Sequence, residues 1–174
     1  MQLLTFTVTG QPYAIESRRV IEVLPLVPAR PIPLMPDYVR GIFTYRGQLV
    51  PLVDLRSRFR AEGTTPAAPP ARLSTRVIVV EFIPSGAAPT PGTGAGDQSA
   101  TPVRLGLIAE DVISIQTAAA ADVTFSSMEL GHAPFLGRIL RLEGSTVQVI
   151  SVEHLLPVEL MAGIFPLAFG ARGA

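Results

Sequence analysis

Residues 41–59 read GIFTYRGQLVPLVDLRSRF, and the order of residue types in this stretch decides the fold. Two apolar runs, 42–45 and 49–53, flank an Arg46-Gly47 step, the pattern of two strands joined by a tight hairpin turn. Gly47 accepts the positive φ that such turns demand. Arg46 is thereby held at a rigid, exposed corner, open to contact with a partner. Pro51 marks the second strand, and Asp54 presents a carboxylate that can cap a short helix over 55–60.

Towards the N-terminus, Leu4, Phe6 and Val8 alternate with Thr5, Thr7 and Thr9, which predicts a strand with one buried face. Gly10-Gln11-Pro12 turns this strand into a second run over 13–15. A third run over 20–24 places Val20, Glu22 and Leu24 on one face and Ile21 and Val23 on the other. Prolines at 25, 28, 31, 33 and 36 remove donors that a central strand needs, so 25–36 reads as an extended surface loop or edge. After Pro36 the sequence leaves room for one helical turn over 37–40, which Gly41 ends.

Towards the C-terminus, 61–75 is rich in Pro, Ala and Thr and reads as a flexible loop. The β-branched run 76–83 predicts a core strand. Residues 84–102 form a low-complexity insertion with a single charge, Asp97, expected to be a second flexible loop between two strands. Strand character resumes over 103–109 and 111–115, and the alanine run 118–121 is too short to hold a helix alone. A second hairpin is expected from 136–142 and 146–152, with Glu143-Gly144 in its turn, then a short helix over 152–156 ended by Pro157. Residues 158–174 form an apolar tail with a helix near 159–164. The segments RGQLVPLVDLRSRF (46–59) and EGSTVQVISVEHLL (143–156) echo each other, each a Gly-centred hairpin leading to a short helix that opens on an acidic residue. The chain is therefore expected to be all-β, one domain over 1–157 built of two small barrels, with a tail over 158–174.

Composition narrows the function. With 174 residues, 48% hydrophobic and 16% charged, the chain can bury a sizeable core. Its formal net charge of zero supplies no field to recruit nucleic acid or an anionic membrane. There is no cysteine, hence no disulfide, thiolate metal ligand or Cys nucleophile. All 14 basic residues are arginine, which removes a Walker-type phosphate loop and Schiff-base chemistry. Met1 to Gly10 alternates like a strand and lacks the pattern of a signal peptide. No apolar run approaches the roughly 20 residues of a membrane helix. A cytoplasmic protein without direct membrane insertion is expected.

Candidate chemistry is sparse. His132 and His154 are too few for a catalytic or metal constellation, and Ser126 and Ser127 lack a nucleophile elbow. Asp54 reads as a helix cap and Glu110-Asp111 as a turn. No enzyme, metal or cofactor is expected. Phe43, Tyr45 and Phe59 near Arg46, Arg56, Arg58 and Arg60 would make a stacking platform for a single-stranded nucleic acid, the alternative reading. At zero net charge, Phe43 and Phe59 read better as core and Arg56, Arg58 and Arg60 as solvating the short helix. For Arg46, a surface ion pair and a partner contact stand close together.

The series Gly41, Arg46, Gly47, Pro51, Asp54 and Leu55 resembles the signature of the CheW-like coupling proteins of bacterial chemosensory arrays. Val20 and Glu22 in RVIEVL, GLIAEDV at 106–112 and VISVEHLL at 149–156 extend the resemblance over about residues 4–156. It implies two five-stranded SH3-like β-barrel subdomains around a shared hydrophobic core, with short helices and no catalysis. It further implies an adaptor that joins the cytoplasmic tips of chemoreceptors to the regulatory domain of a CheA-type histidine kinase, itself CheW-like, in receptor arrays beside the membrane. Val20, Glu22, Gly41 and Arg46 match receptor-contact positions in the groove between the barrels. Gly47, Pro51, Asp54 and Leu55 match positions that shape the hairpin and helix. The kinase is expected on apolar barrel-end surface. Two features depart from the family: Thr44-Tyr45 stands where Asn-Leu is common, and 84–102 is long. Both point to a divergent or auxiliary chemosensory system.

Overall fold

The structure, a computed structural model, describes residues 1–60, 73–84, 87, 101–119, 123–125 and 133–165. In chain order its strands are β1 (Gln2–Val8), β2 (Gln11–Glu16), β3 (Val20–Pro25), β4 (Val39–Tyr45) and β5 (Gln48–Asp54). Helix α1 (Leu55–Phe59) precedes β6 (Arg76–Phe82), β7 (Val103–Thr117), β8 (Val123–Phe125), β9 (Leu136–Leu142) and β10 (Ser145–Ile150). Helix α2 (Val158–Ile164) follows, and 3₁₀ turns occupy Ser17–Arg19 and Val152–His154. The architecture is mostly β, as the alternating runs predict.

Strand β7 is the common member of two groups. Its first half pairs antiparallel with β6 and parallel with Leu52, Val53 and Asp54 of β5, giving the order β3-β6-β7-β5-β4. Its second half pairs with β1 and leads into β1-β2-β10-β9-β8. Strand sides sort the apolar residues into three clusters. One face of each group looks into a shared core that holds Leu4, Phe6, Ile78, Val80, Leu105 and Leu155. The opposite faces close over Leu3, Leu140 and Val147 in one group and over Phe43, Leu52, Val77 and Val79 in the other. Strand β6 is a continuous β-branched run because both of its faces are buried. Met161 of α2 is 1% exposed in the shared core, which therefore extends beyond Pro157.

The proline-rich segment has a definite task. The chain leaving β3 comes back onto β4, where Arg30 and Ile42 exchange two backbone hydrogen bonds of 2.8 and 2.9 Å. Pairing in the β3-β6-β7-β5-β4 group thus runs round to its own start.

Several local expectations are corrected. Residues 37–40 form no helical turn: Asp37 and Tyr38 make a bend closed by Val39 N–H donating to the Pro36 carbonyl, and β4 starts at Val39. Gly41 consequently lies inside a strand. A bulge between Val20 and Glu22 breaks the simple alternation of β3, so Ile21 and Leu24 pack on one cluster and Val20 on another. The runs 103–109 and 111–115 are one strand, kinked where Asp111 adopts φ 42°, so Glu110-Asp111 is not a turn. In keeping with the shortness of the alanine run, Ala118 and Ala119 form no helix; Ala118 N–H donates to the Met1 carbonyl. The flexible-loop expectations for 61–75 and 84–102 fall mostly outside the described residues, as do Ser126, Ser127 and His132.

Candidate functional site

The hairpin forms where the sequence places it, with Arg46 at φ 47° and Gly47 at φ 75° in the two-residue turn. Two successive positive φ values match the twist of the flanking strands. An alanine Cβ at Gly47 would meet nothing within 4 Å, so its cost is conformational only. Gly47→Ala should lose about 1 kcal/mol, read as a small drop in the thermal midpoint. Pro51 is buried in β5 just before the parallel register with β7 begins at Leu52, so its missing N–H breaks no rung to β7 there.

Beyond the strand, Asp54 and Leu55 are 2% and 0% exposed. Asp54 caps α1 by accepting from Arg56 N–H at 3.0 Å. Its other oxygen accepts from Arg40 Nε and Nη2 at 3.1 and 2.8 Å, a partner that sequence reading missed. Asp54 N–H also donates to the Tyr38 carbonyl. The carboxylate ties β4, β5 and α1 into one corner.

Glu22 and Arg46, 24 residues apart, meet at the surface. Arg46 Nη2 lies 3.1 Å from Glu22 Oε2, with the two side chains 64% and 39% exposed. The same oxygen accepts a 2.5 Å hydrogen bond from the hydroxyl of Tyr45, and the Arg46 guanidinium sits 5.1 Å from the Tyr45 ring centroid. Donation to the Glu22 carboxylate, reinforced by desolvation, raises the Tyr45 phenol above its ordinary pKa. Val20 lies at the start of the same strand as Glu22, half-buried against the shared core. Among the described residues β3 pairs in register with β6 alone, the bridge onto β4 being made by Arg30 beyond its end, so Glu22 stands on an edge strand beside the hairpin tip.

Gly41 behaves differently from the other three receptor-contact candidates. It is buried, with φ 137°, and a Cβ built there would lie 2.1 Å from the Arg30 carbonyl oxygen. Its glycine is required by the close approach of the segment that closes the ring.

The arginines of α1 do more than solvate it. Arg56 pairs with Glu110 at 3.3 Å, and Arg60 pairs with Asp37. Arg58 donates to the Leu155 carbonyl at 2.7 Å and lies over the rings of Phe135 and Tyr38, where desolvation lowers its pKa. Phe59 stacks on Phe135 and meets Tyr13 at a tilt, and Phe43 is buried in a core cluster. The components of a nucleobase platform are thus occupied within the fold. His154 pairs with Ser151, Nδ1 to Oγ 3.0 Å, on an exposed 3₁₀ turn. Among the described residues, no three His, Asp or Glu side chains gather as a metal donor set, and no helix is long and apolar enough to cross a membrane.

Comparison with known proteins adds a family. Residues 2–159 match the family model described as the CheW-like domain. The chain is similar to the chemotaxis protein CheW of Rhizobium meliloti, 26% identical over 91% of this chain and 88% of that protein. It is also 38% identical to the chemotaxis protein CheW of Treponema pallidum, over 37% of this chain and 38% of that one. In fold it resembles the scaffolding protein CheW of Thermoanaerobacter tengcongensis, with a TM-score of 0.65 over 90% of this chain and 88% of that chain, at 20% identity. These matches agree with the Gly41 to Leu55 signature and the two strand groups sharing β7. The chain belongs to the CheW-like domain family.

Proposed function

We propose that the protein is a non-enzymatic chemotaxis adaptor that couples the cytoplasmic tips of methyl-accepting chemoreceptors to the regulatory domain of a CheA-type histidine kinase. The observation that carries this reading is the meeting of Glu22 and Arg46, paired at 3.1 Å on an exposed corner of a family-matched fold. Val20 begins the strand that carries Glu22, while Gly41, Gly47, Pro51, Asp54 and Leu55 hold the corner in place. Arginine on a rigid support suits a recognition hot spot, because little conformational freedom is lost on binding. The protein acts in the cytoplasm at receptor arrays, as a single domain over 1–157 onto whose core α2 packs Met161, with the kinase on apolar barrel-end surface. Its output belongs to a divergent or auxiliary chemosensory system.

The test is Arg46→Glu. This variant reverses the charge at the tip and sets two carboxylates side by side, yet alters only exposed surface. Co-sedimentation with receptor-tip fragments should weaken roughly tenfold or more. The thermal midpoint should stay within a few degrees of wild type. A folded variant that binds receptor as wild type does would remove Arg46 from the interface.

A further inference from the structure

We infer that Tyr45 is a positioning residue: its hydroxyl keeps Glu22 fixed to the β4–β5 hairpin while Arg46 is free to leave for a partner. This inference rests on the adaptor reading and specifies how the contact corner works.

Glu22 Oε2 has two donors, Tyr45 Oη at 2.5 Å and Arg46 Nη2 at 3.1 Å. Their surroundings differ. The Tyr45 side chain is 5% exposed, packed with Phe43, Val50 and Leu52, and its hydroxyl reaches outward to the carboxylate. The Arg46 side chain is 64% exposed, and its guanidinium also rests on the face of the Tyr45 ring. An exposed ion pair contributes little, and a solvent-exposed guanidinium resting on a ring face contributes comparably little. Arg46 can therefore exchange Glu22 for a partner's acceptor at small cost.

Without Tyr45, that exchange would leave Glu22 with no donor on an edge strand, free to rotate and to repel an incoming acidic group. With Tyr45, the carboxylate keeps its shorter bond throughout. Ring and hydroxyl act together: the ring gives Arg46 a resting place, and the hydroxyl gives Glu22 a permanent donor. A leucine in place of Tyr45 would supply neither.

The decisive variant is Tyr45→Phe, which deletes one oxygen and keeps the buried ring. Binding to receptor-tip fragments should weaken about fivefold, equivalent to one hydrogen bond. Glu22→Gln should also weaken binding, and the double variant Tyr45→Phe/Glu22→Gln should lose less than the product of the two single losses, because both act on the same bond: Phe deletes its donor and Gln strips the charge from its acceptor. A second measurement needs no partner. In tyrosine-labelled protein followed by NMR, the Tyr45 phenol should titrate above the ordinary range and fall back towards it in Glu22→Gln. Wild-type affinity in a folded Tyr45→Phe variant would overturn the inference, as would fully multiplicative losses or a Tyr45 titration indifferent to Glu22. Failure of the wild-type protein to bind any receptor tip would overturn the adaptor reading instead, and the titration would still decide whether Tyr45 holds Glu22.

Discussion

Gly41→Ala should destabilise the fold by about 3–5 kcal/mol, the upper range for one substitution. The added Cβ would lie 2.1 Å from the Arg30 carbonyl oxygen, 2.6 Å from its carbon and 3.0 Å from Pro31 Cα. All three atoms are backbone, so no side-chain rotation can relieve the clash. The φ of 137° adds strain that any L side chain meets. Relief means lifting Arg30 from Ile42 and losing the 2.8 and 2.9 Å hydrogen bonds that complete the strand ring. Each bond contributes about 1 kcal/mol net, and the residual backbone strain accounts for the remainder. In a protein of this size the thermal midpoint should fall by roughly 10 °C. Amide exchange at Arg30 and Ile42 should accelerate first. A midpoint within about 2 °C of wild type would show that the loop and β4 do not approach as described. Because β4 leads directly to Arg46, receptor binding should fall in this variant without Gly41 touching any receptor.

Asp54→Ala should cost about 2–4 kcal/mol, through a different mechanism. Asp54 is 2% exposed and satisfies both the first turn of α1 and the fork of Arg40. Truncation removes the cap, about 1 kcal/mol, and leaves a partly buried guanidinium without its carboxylate. Arg40 is 38% exposed, so water recovers part of the loss, which places the effect below that of Gly41→Ala. Asp54→Asn retains a cap acceptor while weakening the ion pair and should cost about half as much. Denaturant unfolding of the two variants separates the contributions. Equal losses would assign the whole effect to charge pairing.

These two residues also show how far the sequence could be read. Asp54 as a cap was legible because capping depends on residues within one turn, and Gly47 was legible because hairpin turns are local. Arg40 was not, since its fork reaches Asp54 only once β4 and β5 are paired, 14 positions apart in the chain. Gly41 stands in the family signature, yet its reason lies in Arg30, which a bend and five prolines bring back onto β4. The helical turn expected over 37–40 lost to that same return, because Val39 and Arg40 are needed as strand. The faces of β3 were misassigned because a bulge inserts one residue into the alternation, and no local residue type announces it. Glu22 and Arg46 each matched the family pattern, but their shared partner Tyr45 emerged only from a side-chain bond across 23 positions of the chain. Local chemistry was readable; encounters between distant segments were not.

The most direct test of the adaptor account is a three-component sedimentation assay with receptor-tip fragments on vesicles, a CheA-type kinase and this protein. The account predicts that kinase pellets with receptor only when the protein is present, and that Arg46→Glu abolishes most of this recruitment while remaining folded. Kinase recruitment that is the same with and without the protein would contradict it.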